Sequence, residues 1–352
     1  MYLSVKKAIK QMRNFSISFI LALSMATASN AQVAEPGKPL PAWKEGYLDL
    51  HHINTGRGSC AYYVFPDGTT MLFDAGEMSP ESPRVMGPRN TVIRPNDSKR
   101  PFEWIAHYIK QVAPDKQNTK LDYAAISHFH DDHFGSWYRS APLSSSGKYV
   151  LSGITGVGEL VPISNLLDRG YPRYDFPVSQ ETYFRKLNIR DTSFGRGMVN
   201  YRQFITMQQS KGMKPALLKA GSRSQVVLQY KPAQFPDFFV RNIKANGLIW
   251  TGKDSSVVQH FPPIDTANVK SWPDENSLSL AFTINYGPFI YYSGGDNPGN
   301  VFYGDAPWRD VETPISRAVG EVDIATLDHH GNRDAVNAIW RSEERRVGKE
   351  CR

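Results

Sequence analysis

Cysteine is nearly absent from this 352-residue chain: there are two, and Cys351 sits in a terminal stretch unrelated to what precedes it. A disulfide framework is therefore excluded, and Cys60 reads as a small buried strand residue. The mature chain also lacks any run of eighteen apolar residues, so no membrane span is expected. Charge of one sign is missing too, once the two ends are set aside. The formal net charge is +7. Removing the four basic residues of the first thirty-one, and the five basic and three acidic residues of the last twelve, leaves 32 basic and 31 acidic, a net of +1. Whole-chain charge thus gives no case for a nucleic-acid-binding or membrane-binding protein, and nucleic acid stays in view only as a substrate.

Both ends read as separate from the fold. Lys6, Lys7, Lys10 and Arg13 precede an apolar stretch from Phe15 to Ala26, and Ser29-Asn30-Ala31 offers small residues for cleavage before Gln32. Residues 1–31 are expected to be a signal peptide, which makes the protein periplasmic or secreted and bacterial. No cysteine follows the cleavage point, so no lipid anchor is expected. The stretch 341–352 has no apolar period and back-translates codon by codon into a common short-read sequencing adapter, so it reads as a non-native tail. Residues 32–46 are Pro-rich and polar, a linker into a single domain over 47–340.

Within that domain the strand signals share one feature: they end in side chains that bind metals. Strands are expected from Tyr47, over Cys60 to Phe65, and over Thr70 to Phe73, the last ending in Asp74-Ala75-Gly76. A helix is expected from Pro101 to Val112, with Phe102, Ile105, Ile109 and Val112 on one face and His107 off it. The strand Leu121 to Ile126 runs into Ser127-His128-Phe129-His130-Asp131-Asp132-His133, which holds three of the nine histidines. Imidazole and carboxylate are the donor set of zinc, or of iron and manganese where carboxylates weigh more. Further strands are expected to end at His260, at Gly295-Asp296 and, after Val322 to Leu327, at His329-His330. Five such ends in one chain point to one site. His51 and His52 are adjacent, face opposite sides of a strand and read as structural.

Between about 140 and 250 clean alternation is lost, and the stretch reads as a large insertion with a helix near Asn200 to Gln209. Residues 171–225 hold ten basic and three acidic residues, with eight interleaved aromatics including Tyr174, Tyr183, Phe194 and Tyr201. They are either a cover that attracts an anionic substrate, or a solvated helical segment whose rings pack underneath.

His128-x-His130-x-Asp132-His133 and the order of the other strand ends resemble the metallo-β-lactamase superfamily, an αββα sandwich of the α/β class. Three features are similar to the ComEC-type DNA-uptake hydrolase domains and the phosphorylcholine esterases: Thr55-Gly56-Arg57-Gly58 before Asp74-Ala75-Gly76, Asn276-Ser277-Leu278 before Gly295-Asp296, and His329-His330-Gly331. Ser59 departs from the aspartate often found in that first loop. The resemblance implies two zinc ions, with manganese or iron as alternatives. One would be held by His128, His130 and His260, the other by Asp132, His133 and His330, with Asp296 bridging. Asp74 would orient a ligand from behind. Two such ions roughly 3.5–4 Å apart lower the pKa of a bridging water toward 7. The implied reaction is attack by that hydroxide on a phosphodiester, with Asp132 and His329 as catalytic residues and His329 contacting the substrate oxyanion. Asp131, lying between ligands, reads as a hydrogen-bonding or capping residue. A lactonase, thioesterase or β-lactamase-type hydrolase is the alternative on the same fold. A non-catalytic binding protein is the third reading.

Overall fold

The structure, a computed structural model, describes residues 35–87, 91–299 and 306–335. The expected signal peptide and the expected non-native tail lie outside these residues. The chain divides between Ala42 and Trp43, and everything below concerns the unit that begins at Trp43.

Twelve strands among the described residues form two six-stranded sheets. The first runs β1 (Asp49–His52), β2 (Ala61–Val64), β3 (Thr70–Phe73), β4 (Leu121–Ala125), β5 (Ile163–Asp168), β6 (Lys214–Leu217) in spatial as in chain order. It is antiparallel up to β3 and parallel from there on. The second has the order β12 (Ile324–Ala325), β11 (Phe289–Gly294), β10 (Ala281–Tyr286), β7 (Phe238–Ala245), β8 (Leu248–Trp250), β9 (Val257–Gln259). Only its β11–β12 pair is parallel.

Strand alternation decides which face meets what. Tyr63, Met71, Phe73, Tyr123 and Leu167 of the first sheet pack on Val240, Phe282, Ile284 and Tyr291 of the second, which makes the core between the sheets. The opposite face of the first sheet, with Tyr62, Val64, Leu72, Ala124 and Leu166, is covered by three helices. These are α1 (Pro101–Val112), α3 (Ile154–Leu160) and α5 (Ser193–Ser210), with α2 (Asp131–Phe134) and α4 (Gln180–Leu187) between them in the chain. On the far side, Val311 and Ile315 of the α6 region (Glu312–Val319) cover Ile243, Ile249 and Tyr292 of the second sheet. The layers are helices, sheet, sheet, helix: the αββα sandwich that the resemblance implies.

Helix α1 shows why the local sequence works. Pro101 starts it, the Arg100 N–H donates to Glu103 Oε2 at 2.7 Å, and Phe102, Ile105, Ala106 and Ile109 are buried as one stripe. His107 is exposed, as its place off that stripe requires. Cys60 is buried in the core, which pushes its thiol pKa up. His51 and His52 do face opposite sides, His51 against Tyr108 and His52 against Tyr291.

Two expectations change. The stretch 140–250 is not an insertion outside the sandwich, since it supplies β5, β6, β7 and β8. Its β5 is a parallel strand with neighbours on both sides, so it carries no alternation to read. The strand expected over Val322 to Leu327 shortens to Ile324–Ala325, at an edge where both Ile324 and Leu327 are exposed.

Candidate metal centre

The carboxyl ends of β3, β4, β11 and β12 meet at one end of the sandwich, and the chain turns there at Asp74, Ser127, Gly295 and Asp328. The loop after β4 is cradled by backbone. The N–H groups of Ser59, Ala75 and Glu77 donate to the carbonyls of Asp132, His133 and Asp131 at 2.7, 2.8 and 3.0 Å. The approach is close enough that a Cβ on Gly76 would lie 1.9 Å from the Asp132 carbonyl oxygen, and one on Gly58 2.5 Å from it. That is the physical need behind Gly58 of Thr55-Gly56-Arg57-Gly58 and Gly76 of Asp74-Ala75-Gly76. Asp131 accepts from Ser136 Oγ at 3.2 Å and begins α2, in keeping with its expected hydrogen-bonding role.

Asp296 is the hub. Its carboxylate lies 3.1 Å from His133 Nε2, 3.4 Å from His330 Nε2, 3.7 Å from His128 Nε2 and 3.9 Å from His329 Nε2. Asp132 Oδ2 is 3.2 Å from His330 Nε2. Two groups with metal-binding separations result: Asp132, His133, Asp296 and His330, and His128, His130 and Asp296. Within them, His133 Nε2 faces His330 Nε2 at 3.2 Å and His128 Nε2 faces His130 Nδ1 at 3.1 Å. Two imidazole nitrogens this close share one proton at most, whereas a divalent cation takes a lone pair from each. The donor set fits zinc, iron or manganese on its own chemistry.

The surroundings hold these rings in place. His133 Nδ1 sits 2.8 Å from Asp74 Oδ2, and Asp74 accepts in turn from the Ser127 N–H at 2.7 Å and Ser127 Oγ at 2.8 Å. A carboxylate on Nδ1 keeps the proton there and turns the Nε2 lone pair toward Asp296. Ser127 Oγ also lies 3.1 Å from His128 Nδ1. Asp74, His329 and His330 all have left-handed backbones, with φ of 61°, 45° and 55°. Such strain in non-glycine residues persists only where the surroundings impose it.

Charge is shared unevenly. Burial pushes Asp296 up, but His133 and the other imidazoles outweigh it and hold the carboxylate far below its usual range. Asp132, likewise raised by burial, is pulled down to about 2 by His330 and His133. Burial lowers His133, yet Asp296 and Asp74 lift it well above the ordinary histidine value. Hydrogen bonds to Asp132 and Asp296 raise His330 to about 9. His128 goes the other way: burial and its neighbour His133 keep it neutral, with its lone pair free. The carboxylates thus draw positive charge to the space between His133 and His330, the place a cation would take.

Of the residues expected at the site, His128, His130, Asp132, His133, Asp296 and His330 come together, and Asp74 lies directly behind His133. His330, rather than His329, enters the four-residue group. His329 sits beside it, its Nε2 3.2 Å from Asn276 Nδ2 and its Nδ1 2.7 Å from Asp334 Oδ1. His260 is not brought in, a correction to the expected ligand set. It follows β9, the edge strand four steps from β11, and its N–H donates to the Gly247 carbonyl at the β7–β8 turn at 2.8 Å. Its Nε2 is buried with no hydrogen-bond partner among the described residues. Sequence order puts His260 before Asp296, and sheet order takes it away.

Four residues given no role from the sequence contribute here: Ser127 and Asn276, which lie within quoted motifs, and the pair Arg169–Glu275, which lies in none. Glu275 Oε1 accepts the N–H of Phe129, between His128 and His130, at 2.8 Å. Arg169 grips both oxygens, Nε at 2.8 Å and Nη2 at 2.5 Å, and its guanidinium lies 4.6 Å from the Phe129 ring. Beside the site is a small aromatic cavity lined by Phe129, Tyr183, Phe194 and Met198, with Phe194 edge-on to His130. Of the aromatics in 171–225, Tyr174, Phe184, Tyr201 and Phe204 pack underneath in the core, as one of the two readings has it.

No family model matches the chain, and no curated protein does. Similar solved structures include a mutant of CmlA beta-hydroxylase, with 11% identity over 78% of this chain and 34% of that one, at a TM-score of 0.34. Zn(2+)-bound PqqB from Methylobacterium extorquens is 13% identical over 67% of this chain and 51% of that one, at a TM-score of 0.25. A protein of unknown function from Enterococcus faecalis is 12% identical over 72% and 44%, at 0.29. The chain spans between a third and about half of the length of these structures.

Proposed function

We propose that this chain is an exported, metal-dependent hydrolase of the metallo-β-lactamase superfamily that cleaves a phosphodiester. The observation that carries the reading is the Asp296 carboxylate shared by two groups of donors. His128, His130 and Asp296 would hold one divalent ion, and Asp132, His133, Asp296 and His330 the other. Zinc suits this set, with manganese or iron as alternatives. Such ions, when bound, supply Lewis acidity and lower the pKa of coordinated water to about 7.

The chain's own residues do the rest. Asp74 and Ser127 fix the His133 and His128 rings with Nε2 toward Asp296. Asp132 and Asp296 remain ionised at neutral pH and so offer oxygen lone pairs rather than protons. His329 has Nδ1 beside Asp334. That leaves Nε2, next to Asn276, as the ring atom through which His329 would meet a substrate oxyanion. The net +7 of residues 171–225 supports an anionic substrate through long-range attraction. The Phe194 ring beside His130 supports a second reading, a lactone, thioester or β-lactam with an apolar acyl part.

The test is the zinc-loaded protein assayed with bis-p-nitrophenyl phosphate, a lactone and a chromogenic β-lactam, beside Asp132→Ala and Asp296→Ala. Diester turnover lost in both variants supports the proposal. Lactone or lactam turnover alone favours the second reading, and metal binding without turnover makes this a binding protein. Export is checked by fractionating bacteria that express the chain with and without residues 1–31.

A further inference from the structure

We propose a second ligand site, apart from the metal centre, for a small planar anion: an aromatic ring carrying a phosphate or a carboxylate. The place is a cavity of about 310 Å³ between the end of β1 and helix α1, lined by His52, Thr55, Arg94, Trp104 and Tyr108 among others. That size falls in the range of small-molecule sites, about 300–1,000 Å³. None of the residues of the two metal-binding groups lines it.

The chemistry of the lining selects the ligand. It holds no carboxylate, while Arg94 is exposed and forms no ion pair among the described residues. A guanidinium in that position is a bidentate receptor for phosphate or carboxylate. The two ring walls have spent their polar atoms elsewhere. The Trp104 indole N–H donates to the Asn96 carbonyl at 2.9 Å, and the Tyr108 hydroxyl lies 3.0 Å from His51 Nδ1. What they offer the cavity is ring surface, which suits a flat apolar partner. Lys99 Nζ, 5.5 Å from the Trp104 ring centre, adds positive potential. Thr55 Oγ1 is buried with no hydrogen-bond partner among the described residues, a hydroxyl left over beside the cavity.

The site is built before any ligand arrives. The Arg94 N–H donates to the Thr55 carbonyl at 2.9 Å, and Thr91 Oγ1 to the Gly56 carbonyl at 2.9 Å. These bonds pin the loop that carries Arg94 onto the loop that carries Thr55. A Cβ on Gly56 would stand 2.2 Å from the Val92 carbonyl oxygen, so the contact needs glycine.

The experiment is isothermal titration of the metal-loaded full chain with phenyl phosphate, and with benzoate, inorganic phosphate and phenol as separate arms. Phenyl phosphate is expected to bind saturably in wild type and in Asp132→Ala alike. Arg94→Gln, which removes an exposed side chain with no ion pair among the described residues, is expected to weaken it about tenfold or more. Trp104→Ala is expected to weaken it as well, with Trp104→Phe restoring much of the loss. Inorganic phosphate and phenol should each bind more weakly than the compound that joins them, and the ratio of benzoate to phenyl phosphate tells carboxylate from phosphate ligands. The absence of saturable binding would overturn the proposal. So would binding that disappears in Asp132→Ala and is untouched by Arg94→Gln.

Discussion

Replacing Glu275 by leucine removes three hydrogen bonds at once, and the structure allows the loss to be worked out. Arg169 is nearly buried and has its Nε and Nη2 on the two Glu275 oxygens. Without them its charge stays inside with no counter-ion. Breaking a buried pair from one side costs about 3–5 kcal/mol. The Phe129 N–H, which also loses its acceptor, adds about 1–3 kcal/mol if water does not reach it. These penalties overlap, because one reorganised loop can relieve both, so the expected loss is about 3–6 kcal/mol. At about 2–4 °C per kcal/mol for a domain of this size, Tm falls by roughly 6–24 °C. The control is Arg169→Met with Glu275→Leu, which takes out both charges. It is expected to recover at least about 2 kcal/mol relative to the single variant, since an apolar pair replaces the stranded cation. Urea unfolding of the wild type, both singles and the double closes the cycle. A Glu275→Leu loss below about 1 kcal/mol, or a double variant worse than the two singles summed, would refute this account of the clamp. Because Phe129 lies between His128 and His130, the single variant is also expected to bind metal more weakly.

Asp74→Asn removes the carboxylate behind His133 and is expected to weaken metal binding about 10–100-fold, measured by chelator competition; unchanged affinity would contradict the orienting role. The metal-free protein should show His330 in its pH dependence. Its folded pKa of about 9 lies above the ordinary 6.5, so its contribution is fully present below pH 6.5 and is lost as pH rises through 9. The stability gap between wild type and His330→Gln should therefore shrink over that window in thermal melts, and a widening gap would reverse the sign. Gly76→Ala forces a Cβ into the Asp132 carbonyl; it is expected to lower both Tm and metal content, and a variant with wild-type values would show that the metal loop is not seated there.

How far the sequence could be read follows from geometry. The cluster from His128 to His133 was legible because its side chains lie within six positions of one strand end, where spacing alone brings them together. Asp296 and the pair His329-His330 were legible for a similar reason, each ending a strand adjacent in the sheet. His260 looked equivalent in the chain and is not, because β9 sits at the far edge, and strand order is a tertiary property that no local pattern carries. The segment from 140 to 250 hid β5 and β6 in another way. Leu166, Leu167 and Asp168 are buried in succession, while β6 is an edge strand that tolerates Pro215. Asn276-Ser277-Leu278, quoted above only for its resemblance, forms a tight turn, with Asp274 accepting the Ser277 N–H at 2.8 Å. Arg169 and Glu275 are 106 residues apart, and nothing in either neighbourhood announces the other.

Asp296 belongs to both candidate metal-binding groups, and His260 to neither. Metal analysis of the zinc-saturated, dialysed protein tests it most directly, with Asp296→Ala and His260→Ala beside the wild type. The expected result is two zinc ions per chain in the wild type and in His260→Ala, and fewer than one in Asp296→Ala. One ion or none in the wild type, or a loss in His260→Ala equal to that in Asp296→Ala, would contradict it.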